Sequence, residues 1–138
     1  MASPYRLKIV TPEKVFFDGE TTQIIVRTTE GDLGVLAHHA SLVASLPSGP
    51  LKILDEDGKT WRIAALSVGL LKVGGNTVNI LANAVEWADE IDIEWAKRSE
   101  ANARERMNSK TDQHELDIAE LKLKRALNRI NVYNIANK

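Results

Sequence analysis

The sequence predicts an α+β chain, an antiparallel β-sandwich followed by an antiparallel αα-hairpin, on three observations. Short alternating or β-branched runs recur through residues 1–86 with no helix-length pattern between them. All four prolines and all eight glycines lie before residue 76, so the remainder has no internal helix breaker. Charge density doubles past Trp87–Asp92. Residues 1–88 carry 17 charged side chains, 9 acidic and 8 basic, and residues 89–138 carry 20, ten of each sign. The expected boundaries are 1–86 for the sandwich and 87–138 for the hairpin.

Tyr5–Val10 alternates, with Tyr5, Leu7 and Ile9 on one face and Arg6 and Lys8 on the other, before Thr11-Pro12 interrupts it. Val15–Phe17 is a short apolar run that Asp18-Gly19 is expected to end, and Gln23–Thr28 is rich in β-branched residues. Leu51–Leu54 and Trp61–Leu66 flank Asp55-Glu56-Asp57-Gly58, a hairpin signal, and Gly69–Val73 and Val78–Leu81 flank a second one at Gly74-Gly75-Asn76. The glycines of Gly31-Asp32-Leu33-Gly34 fit turns with positive φ.

Two helices are predicted beyond the boundary. Asp89, Glu90, Asp92 and Glu94 crowd the start of the first, where Asp89 or Asp92 caps it and acid suits the positive end of the helix dipole. Its apolar face, Ala96, Ala103 and Met107 with Ser99 and Glu100 between, is alanine-rich and offers little burial energy. Asn108–Asp112 is the expected turn. In the second helix Leu116, Ala119, Leu123, Ala126, Ile130 and Tyr133 recur at spacings of three and four, with Leu127 widening the stripe. Acid loads its beginning, and Lys122, Lys124, Arg125 and Arg129 load its later part, in the order that complements the dipole. A hairpin this small leans on the sandwich or on a partner: it either packs permanently on its own sandwich or, weakly held, exchanges between two docking surfaces that each stabilise it by a few kcal/mol, roughly the scale of known switches.

Composition excludes several classes of function. A formal net charge of −1 leaves no basic footprint for nucleic acid and no polybasic membrane patch. The absence of cysteine removes disulfides, thiolate nucleophiles and cysteine metal sites. No run approaches the length of a membrane-spanning helix, and no secretory signal is expected at the N-terminus. His38 and His39 are adjacent, hence badly placed to share a metal, and read as structural or interface histidines near a turn. Gly31–Gly34 lacks the residues of a dinucleotide or phosphate loop, Ser67 does not stand in a nucleophile elbow, and Asp55, Glu56 and Asp57 lack the spacing of a calcium loop. No catalytic residues and no metal ligands are expected.

Against this background several segments resemble the epsilon subunit of bacterial-type F-type ATP synthases, in order and over nearly the whole chain. They are Thr11-Pro12-Glu13 with Val15-Phe16; Gly31–Ser41; Ser48–Ile53; Gly69–Val73; Asn76–Ala82; Glu86 with Glu90-Ile91-Asp92; and Leu123–Ile130. Ala37 and Ser41 stand where prolines are usual, Val68 replaces the first of a common Gly-Gly pair, and Asn83 stands where aspartate often follows Leu-Ala. Some bacterial members of the family look able to bind ATP with their hairpin. Here Asp92, Arg125 and Arg129 remain as candidates, but Trp95 occupies a basic position and Asn102 stands where a second arginine is often found. The resemblance therefore implies weak nucleotide binding or none, and no other cofactor.

The resemblance further implies a non-catalytic part of the central stalk. Its sandwich would grip the gamma subunit and rest on the c-subunit ring, with His38 and His39 among its interface residues. Its hairpin, extended along gamma, would present Lys122, Lys124, Arg125 and Arg129 to the catalytic alpha/beta subunits and restrain ATP hydrolysis. Such a subunit is peripheral, on the cytoplasmic face of the bacterial plasma membrane, in a complex driven by protons or sodium. The alternative is an autonomous sandwich adaptor that recruits an unrelated partner through its hairpin.

Overall fold

A computed structural model describes residues 3–109 and 112–137. Eight strands come first: β1 Tyr5–Val10, β2 Val15–Thr21, β3 Gln23–Thr28, β4 Gly31–Leu36, β5 Leu42–Leu46, β6 Gly49–Leu54, β7 Trp61–Gly74 and β8 Thr77–Trp87. A 3-10 turn at Ala88–Glu90 leads into α1, Ile93–Ser109, and α2, Gln113–Ala136. The chain forms two compact units, Met1–Trp87 and Ala88–Lys138.

The strands run in the order β2-β1-β8-β7-β6-β3-β4, and β5 pairs with β7 off this path. β7 changes partner along its length. Trp61–Leu66 pairs with β6, Gly69–Val73 pairs with β5, and the opposite edge pairs with β8 from Ala64 to Gly74. One long strand thus serves both layers of the sandwich. Tyr5, Leu7, Ile9, Ile24, Leu51, Ile53, Leu71 and Ile80 are fully buried in the core. β1 follows its sequence pattern, with Tyr5, Leu7 and Ile9 inward and Arg6 and Lys8 outward.

Three details go beyond expectation. The sheet is mixed, because β1 runs parallel to β8, from Arg6 beside Thr77 to Val10 beside Leu81. β2 does not end at Asp18-Gly19. It continues to Thr21 along β1, with Gly19 opposite Leu7 and Asp18 in an ion pair with Arg6. β4 and β5 are further strands, and both alternate: Leu33 and Val35 face the core from β4, and Leu42, Ala44 and Leu46 from β5. The first compact unit ends on Trp87. The Trp87 ring packs at 4.6 Å from Phe16 and 6.4 Å from Phe17, and the Arg62 guanidinium lies 3.8 Å above it.

A backbone constraint lies where β7 passes from β6 to β5. Val68 has φ 39°, a conformation unfavourable for a β-branched residue. Of the two residues in Gly31–Gly34 expected to need positive φ, only Gly31 has it, at 114°; Gly34 lies in β4 opposite Ile25.

In the helical unit Asp92 caps α1. Its Oδ1 accepts the Trp95 N–H at 3.1 Å and its carbonyl accepts from Ala96. Asp89 sits in the 3-10 turn and does not cap. Asp112 caps α2 by accepting the His114 N–H. The expected turn at Asn108–Asp112 includes Lys110 and Thr111, which lie outside the described residues. Along the helices the fully buried positions are Ala96, Ala103, Ala119 and Ala126, together with Val132. Leu127 does not widen this stripe, being 39% exposed. Burial spreads the other way around α2, to Asn128 and Val132. Leu127 lies about 100° beyond Ala126, away from that arc.

Candidate functional site

The expected site residues divide between the two units. In the sandwich, His38 follows β4 with φ 64° and is exposed; His39 is half-buried and its Nδ1–H donates to the Ala40 carbonyl at 2.8 Å. Both stand in a turn and not on a strand. The same unit carries an apolar shelf of about 460 Å³ formed by Val10, Pro12, Val68, Leu70, Leu81 and neighbouring backbone. Leu70 and Leu81 are cross-strand partners, 40% and 55% exposed.

The helical unit holds the more chemically specific feature, a groove of about 400 Å³ between α1 and α2. Trp95, Ser99, Asn102, Ala103 and Arg106 line it from α1, and Lys122, Arg125 and Arg129 line it from α2. The spacing explains the convergence. Positions 95, 99, 102 and 106 fall on one helical stripe, as do 122, 125 and 129. On α2 that stripe lies on the arc between the buried alanines and Asn128–Val132, so its cations are held beside the seam. Four cationic side chains therefore meet with no carboxylate in the lining.

The Arg129 guanidinium lies 5.1 Å from the centroid of the Trp95 ring, within cation–π range, and joins the two helices across the groove. Arg125 and Arg129, two of the three nucleotide candidates, are brought together here, but Asp92 is outside the lining and caps α1. Lys124 points elsewhere and forms an i,i+4 ion pair with Glu120 at 3.2 Å. Sequence reasoning did not pick out Arg106. Its signal is the eleven-residue spacing from Trp95, three helical turns along the same face.

Dipole complementation does not account for these basic residues. The last turn of α2 contains no basic side chain, and the dipole acts only there. Among the described residues no cluster of three or more His, Asp or Glu is placed to hold a metal ion, and no helix is long and apolar enough to cross a membrane.

Comparison with known proteins accounts for both units. Residues 4–88 match the profile of the "ATP synthase, Delta/Epsilon chain, beta-sandwich domain", and residues 89–134 match that of its "long alpha-helix domain". The chain belongs to the ATP synthase delta/epsilon family. The ATP synthase epsilon chain of Ruminococcus albus is 45% identical over 131 residues, covering 94% of this chain and 96% of that one. The epsilon chain of Clostridium novyi is 42% identical over 130 residues, covering 94% and 98%. Among solved structures, a chain of the Euglena gracilis mitochondrial ATP synthase OSCP/F1/c-ring assembly matches with a TM-score of 0.79 at 25% identity, over 96% of this chain and 80% of that one. A chain of the Tetrahymena thermophila central stalk and c-ring shares the fold, with a TM-score of 0.60 at 20% identity. As an epsilon-type chain, this is a non-catalytic accessory subunit, and its cationic groove is read in that light.

Proposed function

We propose that this epsilon-type chain is a rotor subunit of a bacterial ATP synthase, with its sandwich seated on gamma and the c-ring and its hairpin acting as a brake on ATP hydrolysis. The observation that carries the braking role is the placement of Lys122, Arg125 and Arg129. They stand away from the last turn of α2, where a purely helix-stabilising role would put them, and converge with Arg106 on an acid-free groove. An extended hairpin presents this basic face to acidic loops of the alpha/beta subunits, with Lys124 available on another side of α2, and opposite potentials favour docking. The apolar shelf and the turn at His38 and His39 are the sandwich surfaces offered to the rotor. The assembly would place the chain at the cytoplasmic face of the plasma membrane, held there by its partners and coupled to proton or sodium flow.

In this reading the hairpin works without bound ATP. Trp95 engages Arg129, and Asn102 brings no charge to the groove.

The test is ATP hydrolysis by the reconstituted complex, with the full-length chain or a chain cut after Trp87, and gamma co-purification as the assembly control. The cut must keep Trp87, because its ring packs with Phe16, Phe17 and Arg62. Faster hydrolysis by a normally assembled truncated complex is the expected result. Equal hydrolysis would remove the brake and leave a coupling subunit. Failure of the full-length chain to assemble with gamma would leave the adaptor reading.

A further inference from the structure

The α1–α2 seam is poorly equipped to hold itself shut. Among the described residues its buried positions are four alanines with Asn128 and one larger apolar side chain, Val132, and each alanine removes little apolar surface from water. Larger apolar side chains of α2, Ile118, Leu121 and Leu127, stay more than a third exposed. Beside the seam Arg106, Lys122, Arg125 and Arg129 gather like charge, which opposes closure. Against this, one aromatic contact crosses from the first turns of α1 to the later part of α2: the Trp95 ring beneath the Arg129 guanidinium, 5.1 Å from the centroid. It neutralises part of the electrostatic cost, because the ring face is negative and guanidinium desolvates readily.

We propose that the Trp95–Arg129 contact is an internal latch that keeps the hairpin closed and sets how often its basic face becomes available. The proposal rests on the hairpin being the regulatory element. In the closed state the face of Arg129 is occupied by Trp95. In the open state Arg129 is released together with Lys122 and Arg125 toward an acidic surface.

The chain has no cysteine, so labels can be placed uniquely. Lys97→Cys on α1 and Asn134→Cys on α2 are both exposed. The full-length chain carrying this pair gives the helix-to-helix distance distribution by electron spin resonance or energy transfer. Trp95→Leu and Arg129→Gln are each expected to raise the ratio of open to closed hairpins about fivefold, the scale of one cation–π contact. The double variant should do no more than either single one, which separates the latch from any other contact of Arg129. Trp95→Phe keeps an aromatic face and should lie between wild type and Trp95→Leu. An unchanged distribution in Trp95→Leu, or additive effects in the double variant, overturns the latch. Hydrolysis by the complex is then measured with the same variants. A larger open population with unchanged hydrolysis keeps the latch and sinks the braking role, so the two failures are distinct.

Discussion

Gly69 lies so close to Leu81 across the β7–β8 ladder that a Cβ at Gly69 would stand 2.5 Å from the Leu81 carbonyl oxygen, with Ala82 Cα at 3.2 Å. The obstacle is backbone, which cannot swing aside as a side chain can. Gly69→Ala is therefore expected to destabilise the sandwich by about 2–3 kcal/mol. Gly74→Ala meets nothing within 4 Å and should stay within about 0.5 kcal/mol of wild type. Urea unfolding of the two variants checks the contrast; equal midpoints would refute the close approach.

The neighbouring Val68 carries the opposite expectation. Its φ of 39° suits glycine, and the side chain is 39% exposed, so little burial is lost on its removal. Relief of a strain of roughly 1–3 kcal/mol exceeds the entropic cost of glycine, about 0.5–1 kcal/mol. Val68→Gly should raise the melting temperature by a few degrees, and a fall would show the strain to be absent.

Ser48 precedes β6, and its Oγ is buried without a hydrogen-bond partner. Removing an unsatisfied hydroxyl recovers its desolvation cost, and so Ser48→Ala is expected to gain up to about 1 kcal/mol. Thermal unfolding decides this, and a loss of stability would mean that the hydroxyl is in fact bonded.

Tyr5 ties β1 to β4: its hydroxyl donates to the Val35 carbonyl at 2.7 Å from a side chain that is 1% exposed. Burial pushes the phenol well above its ordinary value. The folded chain therefore holds this proton where the unfolded chain releases it. Stability is fully present below about pH 10, the unfolded value, and declines as pH rises above it. Tyr5→Phe should cost about 1 kcal/mol at neutral pH and flatten that alkaline decline. An unaltered alkaline limb in the variant would assign the decline to other groups.

Trp95 is the natural reporter for nucleotide at the groove. Titration with ATP to millimolar concentration, read as the difference between wild type and Trp95→Phe, is expected to give no saturable fluorescence change, since Arg129 is engaged and Asn102 is neutral. A saturable change would mean that Arg106 and Lys122 compensate for the missing basic residues.

Much of this protein was legible in the sequence where a residue's fate depends on its near neighbours. Alternation placed the inner face of β1, Asp-Gly and Gly-Asn pairs marked the two hairpins around β7, and the spacing from Leu116 to Tyr133 marked α2. Lys122, Arg125 and Arg129 were likewise visible as a cluster. Long-range pairing supplied what alternation could not. Only the assembled sheet lays β1 parallel to β8, lets β7 divide its edge between β6 and β5, and forces Val68 into a glycine-like conformation at that division. Only the packed hairpin turns burial away from Leu127, brings Arg106 into one groove with Lys122, and sets Arg129 over Trp95. A helical or strand period fixes which residues share a face, whereas the neighbour that face meets depends on contacts between residues far apart in the chain, and no local spacing encodes these.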